Sequence, residues 1–227
     1  MANVKAFGPE RRLAAADEVL AKLIDRVGKP GLLVEPLPLF PALVSAITHQ
    51  QLHGKAAQTI LARFVALVPG KRFPTPKEVL ALDPAKLRAA GLSGAKTAAI
   101  RDLAEHCVSR RVPGPLRLAS MSDAEVVTAL TAVRGIGVWT VEMLLMFRLG
   151  REDVLPVGDF GVRQGFRIAY GLPAMPTPKA LLAHGERWRP QRSLAAWYLW
   201  RAVDLERAER QAGGRAPLAA PRASKKG

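Results

Sequence analysis

The chain has 227 residues, enough for one or two domains with a sizeable core, and its 34 Lys and Arg against 19 Asp and Glu give a formal net charge of +15. This excess of positive charge indicates an acidic partner. The single cysteine excludes a disulfide framework and any four-cysteine metal site, and the lack of a signal peptide or of about 18 consecutive apolar residues predicts a cytoplasmic protein without a membrane span.

Residue patterns predict an all-α protein. Alanine and leucine outnumber the strand-favouring residues, and apolar residues repeat at helical spacing, with Cys107 as a core residue of one such face. Helix starts are marked by side chains that can accept from first-turn amides, at Thr75, Asp83, Ser122 and Thr177. We predict helices near 14–27, 40–53, 55–68, 76–82, 84–90, 95–110, 123–133, 138–149, 160–170, 178–186 and 190–211. The tail 212–227 contains no acidic residue and many Ala, Gly and Pro, and we predict that it is basic and disordered.

A short glycine-containing link, Arg134-Gly135-Ile136-Gly137, joins two of these predicted helices. Glycine allows a tight turn and close approach of another molecule to the backbone. The second helix would point its first amides and the positive end of its dipole at whatever lies over the turn, which suits a phosphate. By itself the link is more typical of an ordinary helical hairpin than of a phosphate site.

Five ordered motifs narrow this choice. The run from Leu130 to Glu142 resembles the hairpin of the helix-hairpin-helix (HhH-GPD) DNA glycosylase superfamily, and Leu155 to Arg163 resembles the loop that holds its essential aspartate. Three more stretches resemble the alkylbase branch, the AlkA-like 3-methyladenine DNA glycosylase II proteins: 40–52, 91–96, and 188–193 with Trp197, Tyr198 and Trp200. We assign Trp188, Arg189, Arg192 and Ser193 of the last stretch to packing and helix capping.

The resemblance implies two helical lobes with an active-site cleft between them. One lobe would span 39–150 and contain the hairpin, and the other would combine 1–38 with 151–211. It also implies a glycosylase that initiates base excision repair by removing alkylated bases, chiefly 3-methyladenine and 7-methylguanine, from double-stranded DNA. Lyase-type members have a Schiff-base lysine at the position of Trp139, so a monofunctional enzyme that uses water is expected.

Asp159 is the predicted catalytic residue. Breaking an N-glycosidic bond creates positive charge on the sugar, which a fixed carboxylate can stabilise while it assists an attacking water. A charged alkylated purine leaves as a neutral base, so the second carboxyl group of ordinary sugar hydrolases is not needed. Asp159 is also placed to cap the helix predicted at 160–170, and the two roles are compatible.

The resemblance places the base pocket at Trp139, Trp200, Met143 and Phe40. Aromatic faces attract a cationic base, although core packing is the alternative role for both tryptophans. Met143 stands where relatives have an aromatic residue, which suggests a looser pocket. The residue that fills the gap left by the extracted base is Gln51 or Leu52.

Phosphate contacts are expected from the hairpin and nearby polar residues: Arg134, Gly135, Ile136, Gly137, Thr140, Lys96 and Arg163. The carbonyls of Thr131, Val133 and Ile136 match those that hold a Na⁺ or K⁺ ion in relatives, and no other cofactor is expected. Nearly half of the excess positive charge lies within 40–150, which predicts a phosphate-binding groove near Lys96 and Arg134.

Two other functions remain open from the sequence. The chain could be a non-catalytic helix-hairpin-helix module that binds DNA, or a glycosylase for uracil or oxidised bases. Asp159 and the paired tryptophans favour an enzyme, because a binding module needs neither. The absence of the lysine and of a cysteine-ligated cluster disfavours most of the other glycosylase branches. A monomer is expected.

Overall fold

A computed structural model describes residues 8–31, 34 and 38–213, and every regular element within these ranges is helical. The all-α prediction is therefore confirmed. None of the helices in this part of the chain is both long and apolar enough to cross a membrane. The helices are α1 (Pro9–Ala16), α2 (Glu18–Val27), α3 (Leu39–His49), α4 (Gly54–Val65), α5 (Pro76–Ala81), α6 (Pro84–Ala89), α7 (Gly94–Val108), α8 (Pro115–Ser120), α9 (Asp123–Thr131), α10 (Val138–Phe147), α11 (Phe160–Ala169), α12 (Pro178–Gly185) and α13 (Arg192–Gln211).

The chain divides into two compact units. Residues Val34–Leu149 form one, here called the hairpin unit, and residues Met1–Leu33 with Gly150–Gly227 form the other, here called the terminal unit. The terminal unit thus combines both ends of the sequence. The predicted disordered tail lies outside the described residues from position 214 onward.

The predicted helix starts are present. Thr75 and Ser122 each accept from the amide three residues on, and Glu78 and Glu125 bond back to the cap amides. Asp83 caps α6 by accepting from the amide two residues on, and Thr177 caps α12 by accepting from the amide three residues on, both without the reciprocal glutamate. These local hydrogen bonds satisfy amides that have no partner within the helix, so the sequence can specify them without tertiary contacts.

The prediction of one helix at 14–27 is wrong, because the helix is interrupted at Asp17 and two helices are present. This residue has extended backbone angles (φ −152°, ψ 112°), and its side chain caps α2 by accepting from the amides of Val19 and Leu20. Helix α8 was not predicted, although Gly114-Pro115 is a typical start. The predicted helix 40–53 ends earlier, at His49, which leaves residues 50–53 as a loop.

The hairpin unit has its core between α3, α4, α5 and α7. Leu43, Ile47, Ile100 and Leu103 are fully or almost fully buried there. Cys107, at the end of the α7 apolar face, is half-buried, and burial raises the pKa of its thiol to about 11. It is therefore a packing residue with little thiolate character, as predicted.

In the terminal unit, Asp17 is the centre of a buried hydrogen-bond network, with only 6% of its surface exposed. Its Oδ2 accepts from the Tyr170 hydroxyl (2.6 Å), the Trp188 indole (2.9 Å) and His184 Nε2 (3.1 Å). Burial alone would raise the pKa of Asp17, but these donors and the Leu20 amide outweigh burial and hold the pKa below its ordinary value. One carboxylate thus ties the N-terminal helices to α11, α12 and the turn at Trp188.

Replacing Asp17 by Asn should test this network. We expect Asp17→Asn to lose about 2 kcal/mol of unfolding free energy at about pH 7, because the donors favour the charged form. The folded-state pKa lies below the unfolded value, so the wild type loses this stability as the pH falls through the folded pKa. Urea denaturation should therefore show a gap between the two proteins that narrows as the pH falls through the folded pKa. A gap independent of pH would contradict the assignment.

Helices α11 and α13 pack at very short range through Gly165. A Cβ built on Gly165 would lie only 1.9 Å from the carbonyl oxygen of Leu199, so no other residue fits without separating the two helices. Asp159 is at the start of α11 and Trp200 is on α13. The close approach therefore brings these two side chains within reach of each other.

Gly165→Ala should separate α11 from α13. We expect a loss of about 3 kcal/mol in unfolding free energy, the upper range for overpacking, because the obstacle is backbone. Gly114→Ala is the matched control, since a Cβ there meets nothing within 4 Å and the backbone is not in the left-handed region. The control should lose less than about 1 kcal/mol. Similar melting temperatures for the two variants would refute the packing argument.

Candidate functional site

Asp159 is held by two hydrogen bonds to the same carboxylate oxygen. It is the N-cap of α11, where Oδ1 accepts from the amide of Val162 (2.7 Å) and from the indole Nε1 of Trp200 (2.9 Å). The capping role weighed in the sequence is thus observed. Capping also fixes the carboxylate in position, and the first turn of α11 places it at the positive end of a helix dipole.

Trp200 reaches Asp159 because Gly161 leaves space for it. A Cβ on Gly161 would lie 2.8 Å from Cδ1 of the indole. The half-buried indole therefore packs on the first turn of α11 and directs its N–H at the carboxylate. The structure assigns Trp200 to positioning Asp159, and its predicted contact with a base stays a prediction.

The loop that leads to Asp159 is tied to the start of α13. The hydroxyl of Ser193 accepts from the amide of Val154 (3.0 Å) and donates to the carbonyl of Arg151 (2.7 Å). Arg192 binds the carboxylate of Asp153, with Nε 2.6 Å from Oδ1. The residues assigned to packing and capping from the sequence thus hold this loop, although neither of these two side chains caps α13.

The hairpin unit contains a mainly apolar cavity of about 470 Å³ between α3 and α10. Trp139 and Met143, one turn apart on α10, both line it, and half of the Trp139 surface is exposed. Their predicted shared location is therefore observed. The cavity is lined by Ala42, Leu43, Ser45, Ala46, His49, Gln50, Gln51, Trp139, Thr140, Met143, Leu144, Phe147 and Arg148.

Two predicted positions differ from this arrangement. Phe40 is not among the described residues that line the cavity; it is 8% exposed and packs edge-on against Phe73, with ring centroids 6.2 Å apart. Thr140, predicted to bind phosphate, is buried and lines the cavity instead. Sequence reasoning missed Ser45 and His49, although their four-residue spacing on α3 places them on one face.

The loop at 50–53 follows α3 and carries both candidates for the wedge. Gln51 is exposed and has a positive φ of 56°, which is uncommon for a residue other than glycine. Leu52 is 39% exposed. Gln50 fixes the loop to the hairpin by donating from Nε2 to the carbonyl of Gly135 (2.9 Å). The choice between Gln51 and Leu52 stays open.

The structure gives Lys96 a role inside the protein, in supporting this loop, whereas the sequence predicted that it binds phosphate. Its ammonium donates to the carbonyls of Thr48 and Gln50, each at 2.8 Å, and so caps the end of α3. Burial lowers the pKa of Lys96. Arg163 is also engaged internally, through a bond from Nε to the carbonyl of Pro176 (2.9 Å).

The hairpin has the geometry expected of a phosphate-binding turn. Gly135 has a φ of +77°, a conformation that favours glycine, and its neighbour Arg134 donates its amide to Asp102 Oδ2 (2.7 Å). Gly137 is the N-cap of α10, so the exposed first turn of that helix directs its amides outward. The Ile136 amide donates to the carbonyl of Val133 (3.1 Å), which removes Ile136 from the predicted phosphate donors.

The predicted cation ligands are the backbone carbonyl of Thr131 at the end of α9 and those of Val133 and Ile136 in the turn that follows. Carbonyl oxygens suit a hard cation, and the last carbonyls of a helix have no donor within it. The Val133 carbonyl already accepts from Ile136, which leaves one lone pair for an ion. Thr131, Val133 and Ile136 are compatible with a Na⁺ or K⁺ ion, and the site stays a prediction.

Comparisons with known proteins agree with this geometry. The family described as "HhH-GPD superfamily base excision DNA repair protein" matches residues 44–191, a range that includes most of the residues lining the cavity, the hairpin and Asp159. The chain belongs to the HhH-GPD superfamily. Its HhH-GPD fold is thereby established together with the all-helical structure.

Specific relatives resemble most of the chain. DNA-3-methyladenine glycosylase 1 of Schizosaccharomyces pombe is 38% identical over 86% of this chain and 87% of its own length. A solved structure of the 3-methyladenine DNA glycosylase of that species, in complex with abasic DNA, has a TM-score of 0.75 and covers 85% of this chain and 95% of its own. The structure of a DNA-3-methyladenine glycosidase from Bacillus halodurans is 37% identical in sequence and has a TM-score of 0.82. The match covers 89% of this chain and 92% of the Bacillus chain.

Lys96 and Arg134 should respond differently to substitution. Lys96→Met removes two bonds to loop carbonyls and should lower the unfolding free energy by about 1–2 kcal/mol, with no change in the salt dependence of DNA binding. Arg134→Ala should keep stability within about 0.5 kcal/mol and make the slope of log K against log salt shallower by about 1. Urea denaturation and fluorescence anisotropy across a salt series measure both quantities. A shallower slope for Lys96→Met would restore it as a phosphate ligand.

Proposed function

We propose that this protein is a monofunctional DNA glycosylase that hydrolyses the N-glycosidic bond of alkylated bases, 3-methyladenine and 7-methylguanine among them, in double-stranded DNA. The observation that carries the proposal is Asp159, held through one oxygen by the Val162 amide and the Trp200 indole. A binding module has no use for a carboxylate fixed in this way. The names of the similar proteins support the choice of alkylated bases.

Asp159 would act on the sugar. As the bond to the base lengthens, the sugar becomes oxocarbenium-like, and a carboxylate already fixed in place stabilises that charge without reorganising. The same group can orient the water that attacks C1′. The departing alkylated purine takes the bonding electrons and becomes neutral, so this chemistry needs no separate acid to protonate it.

The cavity on α3 and α10 would hold the base. Its volume is within the range of small-molecule sites, and its lining is mainly apolar. The Trp139 indole offers a π face, and an electron-rich face attracts a cation by about 0.5–2 kcal/mol depending on desolvation. Met143 adds a flexible, polarizable wall that can adapt to bases of different shape.

The hairpin and the loop at 50–53 would hold the duplex while the base is extracted. Arg134 and the first turn of α10 are the remaining phosphate ligands, and such contacts position DNA without reading its sequence. Gln51 or Leu52 would fill the vacated space in the stack. Trp139 occupies the position of the lyase lysine, so water is the nucleophile. Every proposed part lies on one chain, so we propose that the enzyme acts as a monomer. We also propose that it acts in the cytoplasm and requires no cofactor.

Asp159→Asn tests the proposal, because asparagine retains the cap acceptor and removes the charge. With methylated duplex DNA we expect the wild type to release free methylpurines and the variant to release them at least about a hundredfold more slowly. Asp204→Asn, which alters an exposed carboxylate of the same unit, is the control and should match the wild type. Chromatography of released bases gives the rates, and strands should break only after alkali.

Three results would overturn parts of the proposal. No base release by the wild type rejects the function. Undiminished release by Asp159→Asn rejects the assigned mechanism. Strand cleavage by the pure wild-type protein, before alkali, rejects the monofunctional assignment.

A further inference from the structure

His49 has a defined orientation on the wall of the cavity. It is half-buried at the end of α3, and its Nδ1 lies 2.8 Å from the backbone carbonyl of Ser45, one turn earlier. The Ser45 hydroxyl lies 3.5 Å from the same nitrogen. A carbonyl oxygen can only accept a hydrogen bond, so Nδ1 must carry the hydrogen.

This tautomer decides what the ring offers to the cavity. In a neutral imidazole only one nitrogen is protonated, so His49 Nε2 is an acceptor. Nδ1 is turned back towards its own helix, and the residue lines the cavity. From these two observations we infer that the far edge of the ring, with Nε2, faces the cavity. The cavity wall therefore has a hydrogen-bond acceptor in a mainly apolar surface.

Adenine and guanine differ in the group that such an acceptor can bind. Position 6 carries an amino donor in adenine and a carbonyl acceptor in guanine. We propose that His49 is a specificity-determining residue whose Nε2 accepts from the 6-amino group of an alkylated adenine and disfavours guanine by opposing O6 with a second acceptor. This inference rests on the proposed function and names the preferred class of substrate.

The other ionisable group of the cavity does not provide this discrimination by charge. Arg148 directly follows α10, and it is the one other ionisable residue among the described residues that line the cavity. Its positive charge acts equally on 7-methyladenine and 7-methylguanine, which carry the same charge and the same methyl position. A comparison of the release of these two lesions therefore reports on contacts with the edge of the base, and not on its charge.

The test measures the ratio of 7-methyladenine to 7-methylguanine released from one sample of methylated duplex DNA. The release is measured at about pH 8. His49→Leu removes the acceptor and should slow 7-methyladenine release about three- to tenfold. Release of 7-methylguanine should not fall, because the same change removes the acceptor that opposes O6. His49→Gln provides both a donor and an acceptor, so it should retain part of the adenine release and raise the guanine release.

His106→Gln is the matched control, because His106 makes the same bond from Nδ1 to a carbonyl four residues back but lies outside the residues that line the cavity. Its release ratio should equal that of the wild type. Parallel loss of both lesions in His49→Leu, an unchanged ratio in both His49 variants, or a shifted ratio in His106→Gln would each overturn the inference. If the wild type releases neither lesion, the proposed function fails instead.

If His49→Leu does not fold, His49→Gln decides the test, because glutamine keeps a polar side chain at this half-buried position. A release ratio shifted towards guanine in His49→Gln supports the inference, and the wild-type ratio overturns it. Melting temperatures of the variants show whether His49→Leu folds.

Discussion

The site depends on the close packing of α11 against α13. Because Gly165 has no Cβ, the two helices approach so closely that the Leu199 carbonyl oxygen occupies the space a Cβ would need. Gly161 likewise leaves space for the Trp200 indole. Only with both glycines can the indole donate to the Asp159 carboxylate. Because two donors converge on one oxygen, the carboxylate loses the freedom of an exposed aspartate before any substrate is present.

The hairpin unit uses part of its positive charge internally. The Lys96 ammonium holds the carbonyls at the end of α3, while Asp102 holds the Arg134 amide at the turn. The Lys96 bonds therefore fix the start of the loop at 50–53, and the Asp102 bond fixes the start of the hairpin turn. The net charge of +15 therefore does not count the phosphate ligands, and the guanidinium of Arg134 is a better candidate ligand than Lys96.

Contacts between residues close in the sequence could be predicted, and hydrogen bonds between residues far apart in the sequence could not. The capping boxes at Thr75 and Ser122 involve residues three apart, and both were predictable. The break at Asp17 was not, because the buried donors that stabilise it, such as Trp188, lie more than 150 residues away. The internal role of Lys96 was missed for the same reason, since its acceptors belong to α3 and the following loop.

Charge and shape must be recognised by different groups in the proposed enzyme. Alkylated adenine and guanine both carry a positive charge, so the π face of Trp139 and the carboxylate of Asp159 favour both and distinguish neither. Discrimination therefore requires a directional contact with the edge of the base, and a mainly apolar wall makes an unmatched acceptor costly. His49 meets that requirement because the Ser45 carbonyl fixes its tautomer.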